Sequence, residues 1–546
     1  MTAQSLTYFS SLPSLFSPLP TPKEMEQWDL QSQSIGFPGI VLMENAAHAA
    51  CTLLLRLFPS ILKQSCAIFA GSGNNGGDAV CIGRILHEAG AKCTIFLTKD
   101  FSSYRGCSAT ELTIAKNSFI PISPFEAFEP ADYQFLVDGL LGTGFHGPLR
   151  EETLHFIRKI NAVTHAVTIA VDIPSGLDGE TGFPQPEAVH ANATLCMEAI
   201  KQGLCMPQAF PYTGKLYSVP FGIPKSIKQQ YPASAYLLRT QLAHTAPRLV
   251  DNGHKTMYGH VGILGGGDKA TTGAANLAAR AALRMGAGLL HCIAPNALGN
   301  DIRLSLPEIM LCPLGKPLDE TWPETIPENL LELFPRLSSL VIGPGMGTNE
   351  HALHFLGEIL HHKDLPPLIL DADALTLLAK EPKLLQYIRS CDCITPHPGE
   401  AARLLATTSH DIQNDRQKAV ERLCALQKGV VILKGARTLI KQEASPLLVS
   451  PWDIPQLSIA GAGDILAGIL GSLVAQRSLW KEDEPSSLLL AAIGVVIHAM
   501  AAKELAKNYP KRGILAQEIA DAIVRVRTTL STKQNRSSSH DPSKNP

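Results

Sequence analysis

Two α/β domains in tandem are the fold class this 546-residue chain predicts. The chain exceeds the length that one hydrophobic core usually serves. Apolar, β-rich runs with Gly- or Pro-rich ends recur through both halves, with helical stretches between many of them. Such strands, apolar almost throughout, argue for parallel sheets covered on both faces. The rhythm breaks once, over "FGIPKSIKQQYPASAYLLRTQLAHTAPRL". The boundary is placed there, near residues 222 to 240, with domains at 1–225 and 236–530. Two three-layer α/β/α domains are the expectation, and one continuous sheet is the alternative.

In the first half the strand signals are "CAIFAG", "CTIFL", "FLVDGLLG" and "HAVTIAVDIPSG". In the second they are "HVGILGGG", "LVIGPGMG", "PLILDADA", "CDCITPHPG" and "VVILKG". The stretch "TGAANLAARAALRMGAGLL" (Thr272 to Leu290) reads as a helix of small residues suited to close packing. The apolar run "LLLAAIGVVIHAM" has 13 residues and a histidine, too short to span a bilayer, and reads as a buried helix. The polar end, residues 531–546, is expected to be disordered.

Composition excludes several classes. Apolar residues make up 45% and charged residues 18%, as in globular proteins. A net charge of −2 gives no general attraction for nucleic acid. The first twenty residues lack the basic region of a signal peptide. Twelve cysteines are scattered with no C-x-x-C pair, which points to reduced thiols in the cytoplasm. A homo-oligomer without membrane or nucleic-acid partners is expected.

The loop "FAGSGNNGGDA" should leave its strand at Ala70 and enter a helix near Asp78, which would cap it. Its glycines let the backbone approach a ligand, and the helix start behind them favours an anion. A phosphate cradle, a metal site and a tight turn all remain open. No Lys-Ser/Thr follows, so it is not a P-loop. Two other strand ends carry polar groups: Asp138 before Gly142-Thr143-Gly144, and Asp172 with Ser175. In a parallel sheet these ends face one crevice. Asn75, Asp138 and Ser175 offer only oxygen ligands, which suits a weakly held hard cation. Asp172 is a candidate for proton transfer.

The stretches "MENAAHAA", "GSGNNGGDA", "DGLLGTGFHGP", "VDIPSGLDG" and "KQGL" resemble the NAD(P)H-hydrate epimerases. The resemblance implies a Rossmann-like domain that interconverts the R and S forms of hydrated NADH and NADPH (NADHX and NADPHX). It implies K⁺ held by Asn75, Asp138 and Ser175. It implies substrate contacts from Asn74, Asn75, Gly76, Gly77 and Asp78, and from Gly142, Thr143, Gly144, Phe145, His146, Gly147 and Pro148. It puts Asp172 at the reacting ring. Ala79 departs from the family's usual glycine.

In the second half, "LSIAGAGDILAGILGSL" places Gly461 and Gly463 just before a helix with Asp464 at its start. Backbone N–H groups there can take a phosphate, and the carboxylate a hydroxyl; a capped glycine turn is the plainer reading. "AARAALRMGAGL", "GPGMG", "LDADAL", "TPHPGE", "LKG" and "GAGD", in this order, resemble the ADP- or ATP-dependent NAD(P)H-hydrate dehydratases. This resemblance implies a ribokinase-like α/β domain using Mg²⁺ with ADP or ATP. It implies hydrate contacts from Ala274, Gly345 and His397, and nucleotide contacts from Lys434, Gly435, Ala436, Arg437, Thr438 and Gly463. Asp464 would activate the substrate hydroxyl. "GAGD" replaces the usual Gly-Thr-Gly-Asp, the preceding segment lacks an asparagine-glycine stretch, and "LGGGD" stands where Gly-Ser is common. The expected activity is bifunctional repair of hydrated nicotinamide cofactors. The rivals are a small-molecule kinase that stops after phosphorylation, and a first domain that binds without catalysis.

Overall fold

The computed structural model describes residues 9, 12–145, 147–248, 252–267, 269–480, 484–509 and 512–538. It resolves into two compact units, one built on residues 17–236 and the other on 237–546 with 14–16. The described residues form two sheets rather than one.

The first unit carries α1 (Pro22–Ser34), α2 (Gly39–Leu57), α3 (Asn74–Glu88), α4 (Gly106–Asn117) and α5 (Glu151–Asn161). After β1 (Phe16–Pro18), its strands are β2 (Ser65–Ala70), β3 (Lys92–Leu97), β4 (Ile122–Pro124), β5 (Phe135–Gly139), β6 (Val167–Val171), β7 (Ala193–Met197) and β8 (Lys215–Val219). They form one parallel sheet in the order β4-β3-β2-β5-β6-β7-β8. Counted from β2 this is 3-2-1-4-5-6-7, the order of dinucleotide-binding folds with one strand added. Strand β2 shows why its sequence is apolar throughout. Cys66, Ile68 and Ala70 pack with α2, α3 and α4, while Ala67 and Phe69 point into a second core with α5. The order reverses between β2 and β5, which opens a crevice over their carboxyl ends.

The second unit's strands are β9 (Ala235–Leu238), β10 (His260–Leu264), β11 (Leu289–Pro295), β12 (Met310–Leu314), β13 (Ser339–Ile342), β14 (Leu368–Leu370), β15 (Cys393–Ile394), β16 (Val430–Leu433), β17 (Leu439–Lys441) and β18 (Leu447–Val449). The sheet order is β1-β9-β18-β17-β16-β15-β14-β13-β10-β11-β12. Pairing is parallel from β16 through β12 and antiparallel across β16-β17-β18. β9 lies inside the stretch that reads as free of strands: its "AYLL" is too short to register as a run.

Helices α6 (Thr272–Met285), α7 (Asn296–Leu304), α8 (Glu350–His361), α9 (Asp373–Lys380), α10 (Pro398–Leu404), α11 (Arg416–Leu426), α12 (Ala462–Ala475), α13 (Ser487–Ala506) and α14 (Ala516–Ser538) surround this sheet. Small residues let α6 and α12 meet closely: a β-carbon at Gly468 would lie 2.0 Å from the Ala278 carbonyl. The apolar run near the C-terminus belongs to α13, which has 20 residues, not 13, because its flanking alanines, serine and lysine continue the helix. By length and apolarity α13 and α2 are long enough to cross a membrane, yet most of α13 is buried within its unit. The last helix runs to Ser538, beyond the expected start of a disordered tail at 531, since no Gly or Pro interrupts the segment. Residues 539–546 lie outside the described residues. All twelve cysteines are free thiols.

Candidate active sites of the two units

Helix α3 begins at Asn74, not near Asp78, with Gly73 as its cap and no side chain capping it. The Asn-Asn-Gly-Gly-Asp run is therefore the first turn and a half of a helix. Glycines in such a run suggest a loop, but here they serve packing. A β-carbon at Gly76 would lie 1.8 Å from the Gly71 carbonyl, and one at Gly77 2.7 Å from Ser108 Oγ. Both glycines are buried and neither lines the cavity, whereas Asn74, Asn75 and Asp78 do. The unusual Ala79 packs on β5, where Gly139 leaves room for its methyl.

The cavity above the β2/β5 crevice measures about 1570 Å³. Gly142, Thr143, Gly144, Phe145 and Pro148 line it, as does Asp172. Gly147 holds a left-handed turn with φ 87° and is not in the lining. His146 lies outside the described residues. One wall is α1, with Lys23, Met25, Glu26 and Asp29. Its signal was in the sequence as "TPKE": the Thr21 hydroxyl accepts from the Glu24 N–H, the Glu24 carboxylate accepts from the Thr21 N–H, and Pro22 starts the helix.

Asp172 ends β6 in a left-handed conformation, φ 66°. Its Oδ1 accepts from the Met197 N–H at 3.1 Å and from the fully buried Lys201 ammonium, which also donates to the Met197 carbonyl at 2.8 Å. Burial, the Asp172 carboxylate and Asp29 push Asp78 well above the ordinary carboxylate range, against the pull of Lys201. One cavity thus holds a carboxyl group that burial makes reluctant to ionise and a carboxylate paired with a buried ammonium group.

Asn75, Asp138 and Ser175 do converge. Asn75 Nδ2 donates to the Leu141 carbonyl at 2.7 Å, and Ser175 Oγ accepts from the Leu141 N–H at 2.9 Å. Asp138 is fully buried and accepts from Ser175 Oγ at 2.5 Å and Ser175 N–H at 2.8 Å. Burial raises it to about 6 despite these bonds. Asn75 Oδ1 is buried without a partner. A buried carbonyl oxygen without a protein partner, in a group linked through Leu141 to a hydroxyl and a carboxylate, fits a hard cation.

In the second unit Asp464 lies in the first turn of α12, whose cap, Gly461, is left-handed at φ 85°. Burial, with Asp371 adding to it, lifts Asp464 to about 7, partly offset by Lys434. Lys434 donates to Asp371 Oδ1 at 2.6 Å and lies 3.8 Å from Glu400 Oε2. Burial also raises Glu400 to about 7, although Lys434 pulls it down. His397 caps α10: its Nδ1 accepts from the Gly399 N–H at 2.9 Å, while Glu400 accepts from the His397 N–H at 2.7 Å. Burial lowers the imidazole's basicity, and Lys434 lowers it further.

Gly435, Ala436, Arg437 and Thr438 form the β16–β17 turn, with Gly435 and Arg437 at positive φ and Thr438 Oγ1 donating to the Gly435 carbonyl at 3.1 Å. Buried Arg416 supports the turn from beneath, donating to the carbonyls of Leu433 and Lys434 at 3.0 and 3.2 Å. Gly463 joins this group, since a β-carbon there would sit 3.1 Å from Lys434 Nζ. Ala274 and Gly345 form a neighbouring pair through Thr271: its carbonyl accepts from the Ala274 N–H, and its Oγ1 donates to the Gly345 carbonyl. The Gly345 turn is tied to the carboxylates by the Gly347 N–H, which donates to Asp373 at 2.8 Å. Sequence reasoning missed Lys201 and Asp371 as members of the sites, although "KQGL" and "LDADAL" contain them.

A family model described as NAD(P)H-hydrate dehydratase matches residues 261–525, and one described as YjeF-related protein N-terminus matches residues 39–203. The bifunctional NAD(P)H-hydrate repair enzyme Nnr of Coxiella burnetii is 35% identical over 91% of this chain and 96% of its own length. That of Escherichia coli K12 is 31% identical over 92% of each chain. Among solved structures, the ADP/ATP-dependent NAD(P)H-hydrate dehydratase from Bacillus subtilis, co-crystallised with ATP and Mg²⁺, aligns with 54% of this chain and 97% of its own, at 24% identity and a TM-score of 0.42.

Proposed function

We propose what each half does from one premise: this chain belongs to the family of bifunctional NAD(P)H-hydrate repair enzymes. The protein interconverts the R and S forms of NAD(P)HX and dehydrates the S form to NAD(P)H with ADP or ATP. Fusion of the two makes chemical sense, since dehydration of one epimer alone would strand the other.

In the first unit the hydrated ring lies against Asp172. Its carboxylate, held by Lys201, takes the proton of the C6 hydroxyl as the C6–N1 bond opens to an aldehyde and Asp78, on the same cavity wall, gives a proton to N1; rotation about C5–C6 and reclosure of N1 on the other face of the aldehyde return both protons and invert C6. Asn75, Asp138 and Ser175 would hold K⁺, whose charge would steady the Asn75 and Gly142 turns. Asn74, Thr143, Gly144, Phe145 and Pro148 contact the nucleotide.

In the second unit Asp464 removes the proton of the C6 hydroxyl as that oxygen attacks the terminal phosphoryl group of ADP or ATP, whose bridging P–O bond breaks to release AMP or ADP. The C6–O bond then breaks, phosphate leaves in place of hydroxide, and a C5 proton is lost to restore the ring double bond. Lys434 and the N–H groups around Gly463 stabilise charge on the phosphoryl oxygens. The carboxylates of Asp371, Glu400 and Asp464 suit Mg²⁺ carried on the nucleotide phosphates, where it would neutralise charge. Neutral His397, Ala274 and Gly345 contact the hydrate.

The observation that supports this most is the placement of Asp464, raised to about 7, beside Lys434 at a helix start. The test is to incubate the protein with NADHX and ADP and follow the absorbance of the reduced nicotinamide ring. Return of NADH supports the reading. A stable phosphorylated hydrate, with no NADH, identifies a kinase instead.

A further inference from the structure

The first unit's cavity has a cationic corner that neither the proton chemistry nor the potassium set uses. Lys99 follows β3 by two residues, is exposed, and lines the cavity together with Gly71, Ser72 and Asn74. No described side chain forms an ion pair with it. Its position is set by the strand next door. Thr98 donates to the Ala70 carbonyl through both its N–H, at 3.2 Å, and its hydroxyl, at 3.4 Å. The buried Tyr104 hydroxyl donates to the same carbonyl at 2.7 Å. The β3 exit is thus bound to the start of the loop that leads into α3.

The sheet order gives this corner a meaning. Asp172 ends β6, and the crevice lies between β5 and β2. Adjacent strands are about 4.8 Å apart, so β6 to β3 spans roughly 14 Å. A dinucleotide with its reacting ring at Asp172 crosses the α3 N-terminus, which favours its pyrophosphate. Its adenosine then reaches the carboxyl end of β3. In folds of this strand order that position reads the adenosine ribose: an acidic side chain accepts from the 2′-hydroxyl, while a basic one takes a 2′-phosphate. Here the residue lining the cavity is a lysine, and the adjacent Asp100 is not in the lining.

We infer that Lys99 binds the adenosine ribose 2′-phosphate, so that the first unit acts on hydrated NADPH in preference to hydrated NADH. The inference rests on the epimerase reading of this cavity and adds to it a subsite and a substrate preference.

The test is R-to-S exchange by the full-length protein without ADP, started from each pure R hydrate, with spontaneous exchange subtracted. The wild type should favour NADPHX in kcat/KM. Lys99→Gln should raise KM for NADPHX about tenfold with kcat nearly unchanged, the pattern of a lost binding contact remote from the chemistry, and should leave NADHX within about twofold. Lys99→Arg should restore the preference. Adenosine 2′,5′-bisphosphate should compete with substrate better than 5′-AMP does in the wild type and equally well in Lys99→Gln. Equal effects on both hydrates, or none on either, overturn the inference while leaving the epimerase reading intact. Absence of exchange with both hydrates in the wild type overturns that reading itself.

Discussion

Lys434 Nζ donates to Asp371 Oδ1 at 2.6 Å, and the α-carbon of Gly463 comes so near that an added methyl would sit 3.1 Å from the same nitrogen. The three residues come from the ends of β16, β14 and the first turn of α12. A methyl at 463 is tight only against the ammonium end of a flexible side chain, with Asp371 Oδ2 in ordinary contact at 3.5 Å. Gly463→Ala should therefore fold normally, but it should displace Lys434 from the phosphoryl position. ADP-dependent dehydration should fall about tenfold, the scale of a slight misplacement of a charged group. A wild-type dehydration rate in a folded variant would remove Lys434 from the reaction.

Asp464 must be ionised to act as a base. Its carboxyl is lifted to about 7, so the repair rate should rise with pH through 7 and level off above it. Asp464→Asn should lower the rate at least ~100-fold and leave R-to-S exchange unchanged. Stability runs the other way. A folded pKa above the unfolded value means the native state binds the extra proton between about 4 and 7, so this group's contribution falls as pH rises across that window. Asp464→Asn should raise Tm by a few degrees at pH 8 and by nothing below about pH 4. A pH-independent difference in Tm would show that the carboxylate is not strained by its burial.

Asp172→Asn should do the reverse for function: the S hydrate is still repaired, while the R hydrate persists apart from slow spontaneous exchange. Lys201→Met removes the cation and leaves a buried carboxylate alone. Breaking one partner of a buried pair costs about 3–5 kcal/mol, read as a lower denaturant midpoint. The double variant Asp172→Asn/Lys201→Met should recover most of that loss. No recovery would mean that Lys201 acts through the Met197 carbonyl rather than through Asp172.

Potassium should raise the exchange rate of the wild type, because Asn75 Oδ1 has no protein partner. Asp138→Ala should lower exchange and abolish the response to K⁺, with dehydration unaffected. Equal exchange rates in K⁺ and in a bulky organic cation would count against the site.

Residues 1–225 and 236–530 should each fold alone if the two units are independent, the second less stably because it lacks β1 of its sheet. Limited proteolysis should cut between them, and a sole stable fragment spanning residues 222–240 would refute this.

The sequence alone determined the α/β class, the strand ends and nearly every acid at them. Those features are local. An apolar β-rich run and the glycine or aspartate that stops it lie within ten residues, and buried parallel strands leave no polar alternation to confuse the reading. Tertiary structure decided which groups meet. Asp172 and Lys201 are 29 positions apart, and Lys434 and Asp371 are 63 apart, so no spacing rule joins them. Gly76 and Gly77 read as ligand-facing because glycine permits close approach, but the approach that occupies them is that of Gly71 and Ser108. A residue's type states which neighbours it can tolerate; the packing of sheet and helices chooses among protein, ion and substrate.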